Sequence, residues 1–187
     1  MKTAQAVLQF WFGDAPGEPL KAWFVKDPGF DAEIRARFMD LYETAARGEL
    51  ASWNGAADKA LALIVLTDQF PRNMFRGEAR AFATDPIALA TAKHVLASRW
   101  DVSMRPVERM FVYLPFEHSE MLADQECSLE LFEPLGAFKR TADNPDFARR
   151  HWEIVKRFGR FPHRNAALGR PGTADEVEFL KQPGSGF

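Results

Sequence analysis

Cysteine is almost absent from this chain: Cys127 is the only one among 187 residues. One thiol excludes an internal disulfide framework and a zinc site built on cysteines. Long apolar runs are missing too. The longest, Ala60 to Leu66, is far short of the ~20 residues a membrane-spanning helix needs. The first residues, Lys2 and then Thr-Ala-Gln, lack the apolar stretch and small-residue cleavage site of a signal peptide, so cytoplasmic residence and no membrane partner are the default expectations. No Gly-rich phosphate loop, Gly-x-Ser-x-Gly elbow, dinucleotide fingerprint or His-Glu-x-x-His zinc signature occurs. Neither a cofactor nor a metal is expected.

A strong overall charge is lacking as well, the formal net value being −2. It is unevenly spread. Residues 139–170 hold nine Lys/Arg against three acids, whereas residues 1–138 carry a net −6. Such a basic segment is one mark of nucleic-acid binding. Here its cations alternate with aromatic residues, so neutralisation of the acidic remainder on folding is the preferred reading and nucleic acid is not an expected partner.

What is present is apolar and aromatic: 47% hydrophobic residues, including 17 Phe and 5 Trp, enough to build a core. No strand-like alternation persists and 3.6-residue periodicity dominates, so the chain reads as all-α. A helix is expected over about 3–11, broken by Gly13 and Pro16-Gly17-Glu18-Pro19. Another over 31–47 places Ile34, Phe38, Leu41 and Ala45 on one stripe and stops at Gly48. The segment 57–70 is apolar on nearly every face and should be central. Asp85-Pro86 reads as an N-cap with proline at the first helical position, and Asn144-Pro145 opens a helix that ends at Gly159. Thr173 to Glu176 is a capping box. The expectation is seven to nine helices in one compact domain, 1–187, with residues 1–50 as a candidate N-terminal subregion.

One phrase occurs twice, Phe70-Pro71-Arg72-Asn73 and Phe161-Pro162-His163-Arg164-Asn165, with Arg76 and Arg170 close behind; Leu114-Pro115-Phe116-Glu117-His118-Ser119-Glu120 is a looser echo. Proline lacks an N–H and crowds the preceding turn, so each copy is expected to end a helix and launch polar residues. Asp68, near the C-terminal end of its helix, needs a cation, and Arg72 and Arg76 are at hand. It is either an acid–base group or a structural ion pair bracing the loop after Pro71. His118 and Gln125 fall on one stripe with Leu122, Leu129 and Phe132, and His151 on another with Phe147, Ile154 and Phe158. Two inward histidines invite a metal site with Glu120 or Asp124, but the ligand spacing of known motifs is missing. His94 has no polar company. Trp11, Phe12, Trp23 and Phe24 read as core, or as the floor of a pocket.

With Phe10 to Gly13, Gly48-Glu49-Leu50 and Trp53, Leu61 to Ile64, Asp68 to Asn73, Tyr113 to Phe116, His118 to Glu120 and Arg157 to Asn165 followed by Leu168-Gly169-Arg170 in view, the chain resembles, over nearly its whole length, the bacterial family catalogued as domain of unknown function 924. The resemblance implies an all-helical, tetratricopeptide-like right-handed stack, and no reaction or catalytic residue. Met121 stands where that family pattern leads one to expect an acid, and Gln9 where it leads one to expect Asp.

These residues suggest a polar pocket for a small anionic ligand. Arg72, Arg76, Arg160 and Arg164 would neutralise the ligand and Asn73, Asn165 and Gln125 would orient it, with Glu120 and His151 completing the wall. Asp68, His118 and His163 are the candidates for proton transfer in a hydrolase or transferase. The rival expectation is a non-catalytic tetratricopeptide-like module that holds a peptide or protein on a concave face.

Overall fold

The computed structural model describes residues 3–13, 23 and 25–186. The expected break at Pro16-Gly17-Glu18-Pro19 and the aromatic Phe24 lie outside them. Among the described residues there is no strand, and the all-α expectation holds.

Helix α1 (Ala4–Phe12) starts where the Thr3 hydroxyl accepts the Ala6 N–H, and buries Val7, Trp11 and Phe12. Helix α2 (Pro28–Ala46) is capped by Asp27, whose carboxylate accepts the N–H groups of Gly29 and Phe30; it buries the expected stripe together with Tyr42. Helix α3 (Ala57–Ile64) runs through a π-helical turn, Val65–Gln69, into α4 (Phe70–Met74). Then come α5 (Asp85–Ala97), α6 (Pro106–Glu117), α7 (Leu122–Phe132), α8 (Asn144–Phe158) and the short α9 (Ala174–Phe179).

Every residue from Ala60 to Asp68 is buried, as an all-round apolar pattern requires. Helix α3 packs against α1, α5 and α6, while α5, α6, α7 and α8 pack as successive neighbours. One hydrophobic cluster joins residues of α1 to α8. A smaller one, Ile154, Val155 and Phe161, sits beneath Phe158 and Phe179. None of the described helices is long and apolar enough to cross a membrane.

The proline expectation is corrected at all three steps. Pro71 lies in the first turn of α4, inside a helix that continues to Met74, and Pro115 lies inside α6. A π turn carries five-residue hydrogen bonds, here Phe70 N–H to Val65 C=O, and so loosens the register where the proline ring would clash. The third step, Phe161-Pro162, follows a helix already ended by Gly159, which adopts φ +70°. There the left-handed backbone that glycine tolerates does the terminating. Asp85 is corrected too: Thr84 occupies the cap position and Asp85 the first helical one, with Pro86 second and no side-chain cap hydrogen bond.

Candidate functional site

The register of the buried helix puts Asp68 and Arg72 one turn apart on one side. Asp68 is completely enclosed. Its Oδ1 lies 2.8 Å from His118 Nδ1 and 3.3 Å from Arg72 Nη1, its Oδ2 accepts from Gln69 Nε2, and Arg72 Nη1 donates to its backbone carbonyl at 2.6 Å. Burial alone would raise the Asp68 pKa, but Arg72 and then His118 outweigh it and hold the carboxyl well below its usual range. Arg72 also grips Asp85 through two bonds of 2.7 and 3.0 Å.

His118 is the last-turn cap of α6 and not a member of α7. With Nδ1 donating to a carboxylate, Nε2 carries the lone pair. Burial and Arg72 push its pKa below the ordinary histidine value, against the opposing pull of Asp68. His151, on α8, comes within 6.3 Å of the His118 ring, centroid to centroid. Its Nδ1 is 2.9 Å from the Phe147 carbonyl and 3.1 Å from Glu117 Oε1. Burial takes His151 down to about 3 and, with the charge of Asp68 nearby, takes Glu117 up to about 8. Burial thus disfavours the ion-paired form of the Glu117–His151 contact.

The second copy of the repeated phrase meets the first here. Arg164, on the 3₁₀ turn Pro162–Arg164, points Nη1 at Asp85 Oδ2, 3.5 Å away. Its guanidinium carbon lies 4.7 Å from the centre of the Phe82 ring and 4.4 Å from that of Phe161. Burial and the neighbouring Arg72 lower its pKa to about 10. His163 stands beside Phe161, with ring centres 5.6 Å apart, and burial and Arg164 lower it to about 4. The structure thus brings together Asp68, Arg72, His118, His151, His163 and Arg164, with Glu117, Asp85 and Phe82 added.

The remaining candidates go elsewhere. Asn73 Nδ2 donates to Asp31 Oδ1 at 2.8 Å, and Arg76 forks onto the same carboxylate at 2.6 and 2.8 Å. Both tie α4 to α2. Glu120 accepts the Phe161 N–H at 2.8 Å and a fork from Arg170 at 2.7 and 2.9 Å. Asn165 accepts from Arg170 Nε at 3.0 Å and donates to Glu176, which also receives a fork from Arg160 at 2.6 and 2.8 Å. These residues latch the C-terminal segment to the corner between α6 and α7. Gln125 Nε2 donates to the carbonyls of Glu117 and Ser119 at 2.6 and 2.7 Å. It serves the end of α6.

Several stripe readings change with the packing. Leu122 and Phe147 are exposed, while Gln125 and His151 on the same stripes are buried. His94 has polar company after all, the Asn54 carbonyl at 3.0 Å. Asp124 is taken by Lys93 at 2.7 Å and the Ser119 hydroxyl at 2.8 Å. Among the described residues no group of three His, Cys, Asp or Glu is placed to hold a metal ion. Two shallow depressions, of about 410 Å³ beside Arg157 and Glu176 and about 250 Å³ beside Thr3 and Gln9, lie apart from the cluster.

Sequence reasoning passed over Asp85, which was spent on capping, and Phe82. Neither bears a local signal of its role, because Arg72 and Arg164 reach them from other turns of the fold.

The solved structure of a protein of unknown function from Agrobacterium tumefaciens, ATU0120, is similar to the chain at 41% identity and a TM-score of 0.86, covering 95% of this chain and 96% of that one. No curated protein matches. The profile of a family described as a bacterial protein of unknown function, DUF924, matches residues 7–184, and with nearly the whole length accounted for, the chain belongs to that family.

Proposed function

We propose that this protein is an acid–base catalyst of hydrolysis or group transfer on a small anionic substrate, with His118 as general base. The observation that carries this reading is the 2.8 Å bond from His118 Nδ1 to the wholly buried Asp68 carboxylate. A buried carboxylate on Nδ1 fixes the tautomer and ring plane, and stabilises the imidazolium that forms when Nε2 takes a proton. Arg164 lies near enough for its charge to act on His118 and supplies the positive charge for an anionic substrate, and Arg72 holds Asp68 through the same Oδ1 and its backbone carbonyl. The enclosure of Asp68, His151 and Arg164 favours a small-molecule site over a peptide-binding face, whose charges would be displayed to solvent.

The test is turnover of a panel of small anionic esters and phosphoesters by the purified chain and by His118→Gln. A substrate whose turnover falls ~100-fold or more in the variant supports the proposal. Equal turnover by both proteins, or none across the panel, would sink it.

A further inference from the structure

Five arginines belong to or flank the repeated phrase, and four of them show what they hold. Arg72 forks onto Asp85, Arg76 onto Asp31, Arg160 onto Glu176 and Arg170 onto Glu120, each through two hydrogen bonds. Arg164 is the exception. Its side chain is only 7% exposed, and its Nε is buried without a hydrogen-bond partner. Its nearest carboxylate, Asp85, stands off at 3.5 Å because Arg72 already occupies that group. Two phenyl rings line the guanidinium, and rings offer no hydrogen-bond acceptor in the plane of its N–H groups. A buried charged donor left without a partner is costly. What its four counterparts possess, and it does not, is a carboxylate fork.

We infer that Arg164 is the seat of a monocarboxylate ligand, which docks on the Nε edge of the guanidinium beside His118. The inference rests on the reading of His118 and Arg164 as one ligand site, and adds the chemical class of the anion. The planar fork of a guanidinium matches a carboxylate through two parallel bonds. Charge count separates a carboxylate from a phosphate. Arg164 is the one guanidinium of the five without a carboxylate fork of its own, so this enclosed place accommodates one added negative charge better than two. A monocarboxylate brings one and a phosphate dianion two. Nε is buried, so seating a ligand on it requires the Arg164 side chain or its neighbours to move aside. The resulting ion pair is dry, where its attraction is strongest.

The experiment titrates the full chain separately with sodium acetate and sodium phosphate at constant ionic strength, in mildly alkaline buffer where phosphate is mainly the dianion. It follows the arginine Nε–H resonances by NMR and the melting temperature. Acetate is expected to shift the Arg164 Nε–H signal saturably and to raise the melting temperature, with phosphate at least tenfold weaker. Arg164→Lys should lose the response. Because that variant perturbs a buried charge, the resonance shift in the unaltered chain is the primary reading. No saturable shift with acetate, or phosphate binding as tightly, overturns the inference. His118→Gln separates the two proposals. If acetate fails to bind while this variant still abolishes turnover of another substrate, only the carboxylate assignment falls. If acetate seats normally while the variant turns substrate over unchanged, only the acid–base reading falls.

Discussion

The hydroxyl of Thr84 donates a 2.6 Å hydrogen bond to the backbone carbonyl of Thr67, 17 residues earlier in the chain. In an α-helix that carbonyl would accept from residue 71, which is proline and has no N–H. One helix is thus completed by a side chain from the start of the next, between the residues that bear Asp68 and those that bear Asp85. Removing the donor should be felt in both. Thr84→Val leaves a buried carbonyl unsatisfied and is expected to cost about 1–3 kcal/mol, whereas Thr84→Ser should stay near the parent. Urea unfolding of the three proteins measures it; a valine variant as stable as the serine one would show the bond to be unimportant.

Asp68→Asn strips a buried guanidinium and imidazole of their shared partner, and should destabilise the chain by roughly 3–5 kcal/mol at neutral pH. The Asp68 pKa is lower folded than unfolded, so its contribution is present above the unfolded value and lost as pH falls through the folded one. The parent should therefore lose stability progressively below about pH 4, and the variant should show a flatter acid limb in stability curves. In the same variant the NMR titration of His118 should move to lower pH, because Asp68 is what pulls its pKa up.

Glu117 has the opposite sign. Its folded pKa, about 8, lies above the ordinary carboxylate value. The folded state keeps a proton that the unfolded chain releases near pH 4.5, so stability is full below that pH and declines as pH rises towards 8. Glu117→Gln, neutral at every pH, should erase the decline, which amounts to roughly 3–5 kcal/mol. Chemical denaturation at pH 5 and pH 8 distinguishes the two proteins, and an identical drop in both would contradict the assignment.

Glu120 gathers the Phe161 N–H and the Arg170 fork at the corner between α6 and α7. Glu120→Gln weakens charge-assisted bonds and should cost about 1–2 kcal/mol. Its mark is local: amide exchange should accelerate across residues 160–170 and remain unchanged in α3 and α5. Uniform acceleration would mean that the latch is part of global stability.

Helix existence was legible because its signals are local. The Ile34-to-Ala45 stripe, the all-apolar run after Ala57, Gly159 in its left-handed turn and the Thr173–Glu176 capping box each act within a few residues. Proline was misread where a π turn or a long-range hydrogen bond compensates for the missing N–H, since neither leaves a trace within one turn of sequence. The stripes misled at Leu122 and Phe147, whose helices turn only part of the expected face inward.

The candidate site divides the same way. Periodicity alone established an all-helical chain with arginines close to its Phe-Pro steps, and the likeness of its longer phrases pointed to a bacterial family of unknown function. Which carboxylate each arginine holds was decided by packing, for the partners are as much as 50 residues apart and a guanidinium will fork onto any carboxylate within reach. Only the assembled helices place Arg72 and Arg164 from the two copies on one Asp85, which the first fills and the second does not.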